Sequence, residues 1–159
     1  MDETAKKTVL RGIPYGLFAL TVASDGENHA LTVNWITQAS FEPPMVAVAL
    51  ENDSNGLAMI HNARAFALCA FGPEQQGLAA RLGRASARHP AKLAGVPTSP
   101  GPQTGSPLLA AAAGWLECRL VATLPSGDHT LVLGEVVEAG ASHAAPFLTL
   151  AETGMKYAG

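Results

Sequence analysis

A chain of 159 residues is long enough for one domain that buries roughly 70% of its unfolded surface. A net charge of −3, with no basic stripe and no aromatic–basic interleaving, argues against a nucleic-acid partner, and no stretch approaches the ~20 apolar residues that span a bilayer. Hydrophobic residues make up 48% and charged residues only 14%, a low charge content that fits either an apolar self-interface or an alanine-rich bias.

The first segment, MDETAKKTVLRG, has no signal-peptide core, which implies a cytoplasmic protein. Strands are expected over 16–23 and 30–37, joined by Ser24-Asp25-Gly26-Glu27-Asn28, whose Asp-Gly pair is hairpin chemistry. In the second strand Leu31, Val33 and Trp35 alternate with Thr32, Asn34 and Ile36, a period of two. Thr37, Gln38 and Ser40 then sit where a strand ends. Pro43–Pro44 form a turn into a third strand, 44–50, and its run Met45–Leu50 has no polar residue, which predicts cover on both faces.

Asn52, Asp53 and Ser54 follow, with Ser54 as N-cap of a helix over 54–61. A strand over 65–71 leads to a helix over 73–82, with Pro73 in its first turn, Glu74 favouring the dipole, Leu78 and Leu82 as core contacts and Gly83 at C′. Residues 84–114 are rich in Pro, Gly, Ser and Ala. A loop that long inside a compact domain suits a ligand cover or a crossing to a partner subunit. Strands are then expected over 115–123, where Glu117 and Arg119 mark an exposed face, and over 130–139, with 124–129 as their turn and a short strand near 146–150. Cys69 and Cys118 lie singly in apolar strands and read as reduced core residues. The whole is mainly β, with short α insertions, in one domain over 1–159; the strands lie too close together for helical crossovers between most of them.

Several chemistries are absent from the motif content. There is no GxGxxG after a strand, no GxxxxGK, no GxSxG elbow, and no CxxC, HExxH or clustered His/Asp/Glu for a metal. What does emerge is a strand end and a helix start close in sequence. Free backbone N–H groups and the positive end of a helix dipole suit an anionic, hydrogen-bonding ligand.

The ordered motifs carry a resemblance. Gly16…Leu20-Thr21-Val22, Trp35, the run Pro43–Leu50 with Ser54, FxLxxFGxEQQxLAxxLG from Phe66, LxCxL from Leu116 and GDHTLVLGEV from Gly127 follow one another over more than a hundred residues. From about Tyr15 to Tyr157 the chain resembles the flavin reductase-like FMN-binding split-barrel family. This group includes NAD(P)H:flavin oxidoreductases, flavoredoxins, ferric reductases and the reductase components of two-component monooxygenases. The resemblance implies a split β-barrel of Greek-key type and a homodimer with FMN near the subunit interface. It places the flavin ring against Thr32, Val33, Asn34 and Trp35 through main-chain groups. Gln38, Ala39 and Ser40 take the segment that contacts the ribityl chain and phosphate, and Asn52, Asp53 and Ser54 lie on the phosphate side. Phe71 and Gly72 match the strand end beside the cofactor, Lys92 a loop cation that neutralises phosphate, and His129 a catalytic histidine near flavin and nicotinamide.

The chain departs from the family where Ser is common at Asn34, Trp35 and Gln38, and Val at Ala39. Trp35 thus either stacks on the flavin, limits its entry, or simply fills the apolar strand face. The implied reaction is hydride transfer from the nicotinamide C4 of NADH or NADPH to flavin N5, in which the flavin carries the chemistry and the protein orients it. FMN is implied over FAD because no adenine pocket can be traced, and the nucleotide would lie over the flavin, folded under 84–114. Two other readings stay open: a flavoredoxin-like carrier fed by a protein partner, and a barrel that binds another small molecule. A monooxygenase or an electron-transfer protein is the implied partner.

Overall fold

The computed structural model describes residues 1–142 and 146–155. Strands β1 (Phe18–Ser24) and β2 (Glu27–Val33) form the expected hairpin. Asp25 and Gly26 take φ of 52° and 80°, the pair of left-handed residues a tight two-residue turn requires.

The strand expected over 30–37 is divided. The ladder with β1 stops at Val33, and the Ile36 N–H donates to the Asn34 carbonyl at 3.1 Å. The chain resumes as β3 (Ile36–Phe41) and turns at Glu42–Pro43 into β4 (Pro44–Glu51). The two halves end on opposite edges of a seven-stranded sheet, ordered β2-β1-β5-β8-β9-β4-β3 and antiparallel throughout. Edges β2 and β3 do not pair, so the curled sheet is a split barrel, the class expected from the sequence.

Strand β4 is covered on one face only. Val46, Val48 and Leu50 are buried, while Met45, Ala47 and Ala49 between them are half-exposed. This outer row continues across the ladder to Leu131 and Leu133 of β9 and then to Leu124 and Ala122 of β8. An apolar strip therefore runs over the outside of the sheet, with Leu124 62% and Leu131 36% exposed.

Helix α2 (Asn55–Ala63) starts after Ser54 and ends at Arg64, whose φ is 57°. It packs Leu57, Met59 and Ile60 into the barrel core with Phe66, Leu68 and Val132. After β5 (Ala65–Ala70), the expected helix over 73–82 begins as a 3₁₀ turn and becomes α3 (Gln76–Leu82). Gly83, expected at C′, is the C-cap itself and keeps a right-handed φ of −73°. Leu82, Phe71, Leu17 and Leu148 build a second buried cluster.

Long strands β8 (Gly114–Ser126) and β9 (His129–Ala141) close on Gly127–Asp128. The ladder extends through Leu124, Pro125 and Ser126, which had been expected in the turn. Strand β5 reaches only as far as Arg119, so beyond it β8 is an edge that tolerates a proline. Gly134 lies beneath the Phe66 ring, where a Cβ would stand 2.6 Å from Cζ. Leu116, Cys118 and Leu120 keep the alternation and face the barrel core, and the 101–106 turn covers the opposite face, where Gln103 and Thr104 bond the Glu117 carboxylate. Glu117 is thus fully buried, not exposed as the alternation suggested.

Four of the described elements had no sequence forecast. Helix α1 (Glu3–Arg11) is capped by Asp2 and buries none of its residues. Strands β6 (Thr98–Pro100) and β7 (Pro107–Leu109) form a small hairpin inside 84–114. The strand expected near 146–150 reduces to one bridge between Gly16 and Thr149, followed by the turn α4 (Leu150–Thr153). Both cysteines are buried, and burial raises the Cys69 thiol to about 11 and the Cys118 thiol to about 12, which makes them poor nucleophiles. No helix among the described residues is long and apolar enough to cross a membrane.

Candidate functional site

A cleft of about 950 Å³ opens beside the unpaired β2 edge. One wall is Thr32, Val33 and Asn34 at the end of β2. Because β2 is an edge strand, its outward N–H and C=O groups are not used by the ladder. The Thr32 hydroxyl turns away to donate to the Ala79 carbonyl at 2.7 Å, so the strand faces the cleft with backbone more than with that side chain.

The opposite wall joins the end of β4 to the start of α2, with Ala49, Glu51, Asp53 and Ser54 on it. Ser54 holds the extended N-cap conformation, yet its hydroxyl makes no capping bond. The first N–H groups of a nine-residue helix thus open toward the same wall. Leu31 and Met59 supply apolar lining.

Residues 83–87 and Pro90 make the third wall. This segment is fastened to α3 by two cations. The Lys92 ammonium donates to the carbonyls of Leu82 and Arg84 at 2.9 and 3.0 Å, and Arg81 donates to those of Ala94 and Ala91 at 2.5 and 3.4 Å. Lys92 thereby caps the carbonyl end of α3. It is 5% exposed, and burial lowers its pKa. The lining also carries Arg84 and three carboxylates, Glu27, Glu51 and Asp53.

His29, also on the lining, is 9% exposed. Burial first, and Lys92 second, depress its pKa below the ordinary 6.5. The unfolded chain therefore takes up a proton that the folded His29 resists, and stability falls as pH drops below about 6.5 until the folded group titrates too. His29→Gln is expected to flatten this loss between pH 7 and 5, read from thermal melts across pH. Parallel curves for the variant and the parent protein would refute it.

Of the residues singled out in the sequence, Thr32, Val33, Asn34, Asp53, Ser54 and Lys92 come together on this cleft. Trp35 and His129 are not on the lining but neighbour its Asn34 in sequence and its Glu51 in register, with their rings 4.7 Å apart and tilted by 34°. His129 Nδ1 lies 2.6 Å from Asp128 Oδ1, and this bond holds the Asp128 carboxyl below its usual range. Gln38, Ala39 and Ser40 lie apart from the lining, on the outer edge strand β3, at its register shift. Asn52 is bonded to the β8–β9 turn. Phe71 is buried in the second cluster, with its backbone bonded to Leu17 and Leu148, and the Gly72 N–H donates to Gln75 Oε1. His29, Arg84 and Ser86 line the cleft without having stood out in the sequence. No motif marks them, since only the fold brings 84–90 against β2.

A family model described as a flavin reductase like domain matches residues 10–158. The reductase component of a 4-nitrophenol 4-monooxygenase/4-nitrocatechol 2-monooxygenase from Rhodococcus opacus is 32% identical over 146 residues, 92% of this chain and 76% of that protein. The flavin reductase component of a bacterial two-component tryptophan halogenase superposes with a TM-score of 0.84 at 25% identity, over 96% of this chain and 95% of that one. The NADH:FAD oxidoreductase SgcE6 of Streptomyces globisporus, in complex with NAD and FAD fragments, gives 0.85 at 26% identity over 96% and 90%. The chain belongs to the flavin reductase-like family.

Proposed function

We propose that this protein is an NAD(P)H-dependent flavin reductase that holds FMN in the cleft between the β2 edge and the start of α2. The observation that carries the reading is the juxtaposition in one cleft of an unpaired strand edge and a helix N-terminus. Its volume, about 950 Å³, lies within the range of cofactor sites. Leu31, Val33 and Met59 give apolar lining for a flat ring system. The backbone of Thr32–Asn34 offers hydrogen bonds to the ring edge, and Ser54 with the first α2 N–H groups offers them to a phosphate.

When bound, the flavin supplies N5 as acceptor for the hydride of the nicotinamide C4. The chain's own part is to place the two ring systems and exclude water between them. Arg84 and Ser86 flank the cleft mouth on a segment braced by Lys92 and Arg81. His129, oriented by Asp128 and stacked on Trp35, stands at the end of the wall that the nucleotide would meet. No proton has to be relayed through a triad, which agrees with the motif content.

The apolar strip through Leu124, Leu131 and Ala49 supports a homodimer, and Ala49 also lines the cleft, which would place the flavin near the interface. The names of the relatives support a monooxygenase as the acceptor of reduced flavin. NADH is favoured over NADPH by those same names. The test is anaerobic: purified protein with added FMN is expected to bleach the flavin's visible band on addition of NADH. If neither nucleotide is oxidised, the reductase reading fails.

A further inference from the structure

Asn52 stands at the junction of β4 and α2, directly before Asp53 and Ser54 on the cleft wall. Its own side chain points elsewhere. Nδ2 donates to the Gly127 carbonyl at 2.9 Å and Oδ1 accepts from the Thr130 hydroxyl at 2.8 Å. The Asn52 backbone N–H donates to the Asp128 carbonyl at 3.0 Å. One residue thereby grips the turn on both sides of His129. The register continues the same docking, with Glu51 opposite His129.

The turn needs such a grip. It closes two thirteen-residue strands whose far end runs past β5, and Gly127 sits at a φ of 67°. A hairpin tip of this kind opens easily unless something outside the hairpin holds it. Asp128 fixes the His129 ring through Nδ1 and Trp35 lies against its face, but these contacts locate the ring only if the turn itself is placed.

We propose that Asn52 is a positioning residue for His129, docking the β8–β9 turn on the cleft wall so that the imidazole is held where the nicotinamide nucleotide arrives. The inference rests on the reading of this cleft as a flavin reductase site, with His129 on the nucleotide side. Asn52 acts through His129 and touches neither ring system.

The test uses the FMN-loaded protein and the variants Asn52→Ala, Asn52→Asp, His129→Ala and the double variant Asn52→Ala/His129→Ala. Loss of two exposed hydrogen bonds is expected to raise KM for NADH about three- to tenfold in Asn52→Ala, with FMN affinity kept within about twofold. Asn52→Asp, which retains the acceptor for Thr130, recovers part of the loss. The double variant is expected to be no worse than His129→Ala alone, because residues acting through one group are not additive. Fully additive effects, or a fall in FMN affinity as large as the rise in KM, overturn the proposal. Should the parent protein oxidise neither nucleotide, the reductase reading has failed and the positioning claim is decided separately. Asn52→Ala must then move the ¹⁵N resonances of the His129 ring while leaving those of His61 and His89 in place, and an unmoved His129 overturns it.

Discussion

Glu117→Ala is expected to lower stability by about 2–4 kcal/mol, the largest effect anticipated for a polar side chain in this protein. Glu117 is fully buried. Its Oε1 accepts from the Thr104 N–H and the Thr104 hydroxyl at 2.7 Å each, and its two oxygens share the Gln103 N–H at 3.2 Å. The turn fits so closely over the carboxylate that a Cβ on Gly101 would clash with Oε1. Truncation to alanine leaves these part-buried donors without their acceptor, and a buried unsatisfied group costs about 1–3 kcal/mol. Relief of the buried charge offsets part of that sum.

Glu117→Gln separates the two contributions. The amide retains one oxygen for Thr104 and loses the charge, so about half of the destabilisation should remain. Urea denaturation gives the magnitudes, and amide hydrogen exchange should show the loss concentrated at 101–106. A Glu117→Ala melt within about 0.5 kcal/mol of the parent protein would mean that the turn is held by other contacts, such as the Thr21 hydroxyl donating to the Pro107 carbonyl at 2.6 Å.

Glu117 also marks what the sequence could not disclose. The alternation Leu116, Glu117, Cys118, Arg119 looks like a half-exposed strand, and period alone puts Glu117 outside. Period fixes the face a residue takes, not what covers that face, and the cover here is the 101–106 turn, which local composition does not announce. The same limit hid the break at Asn34 and Trp35. Residues 30–37 alternate well enough to read as one strand, but side-chain period says which face a residue takes, not which neighbour its strand will pair with. The two hairpin turns were legible because Asp25-Gly26 and Gly127-Asp128 supply the backbone freedom a tight turn requires. The apolar run Met45–Leu50 was legible as a strand. Within one chain its outer row stays partly exposed, and composition does not tell cover by the same chain from cover by the second copy proposed above.

The site divides along similar lines. Thr32–Asn34 and Asp53–Ser54 were visible as a strand end and a helix start, and the fold sets them on one cleft. His29 and Arg84 were not visible, since their place depends on how 83–92 folds back against β2. Lys92 was noticed as a loop cation. Its ammonium in fact braces the loop through two carbonyls, so any field it lends to a ligand is a secondary result of a packing role.

The sharpest functional test falls on Ser54, because there stability and ligand affinity should move in opposite directions. Aspartate is among the best N-cap residues, and a negative charge at the start of a helix is favourable. The Ser54 hydroxyl makes no capping bond in the parent protein, so Ser54→Asp should leave the ligand-free protein as stable or raise it by about 0.5 kcal/mol. The same carboxylate would lie beside Asp53 at the helix start proposed to hold the phosphate. A like charge about 4 Å away costs roughly 1–4 kcal/mol, depending on how much water screens it. FMN affinity should therefore fall by about tenfold or more, less so at high salt. Riboflavin, which lacks the phosphate, should bind the variant and the parent protein alike. Flavin fluorescence titrations of both ligands, beside thermal melts without ligand, read all of these quantities. Equal FMN affinity in variant and parent would remove the phosphate from the start of α2. An equal loss of FMN and riboflavin binding would mean that the substitution had damaged the cleft instead of repelling a charge.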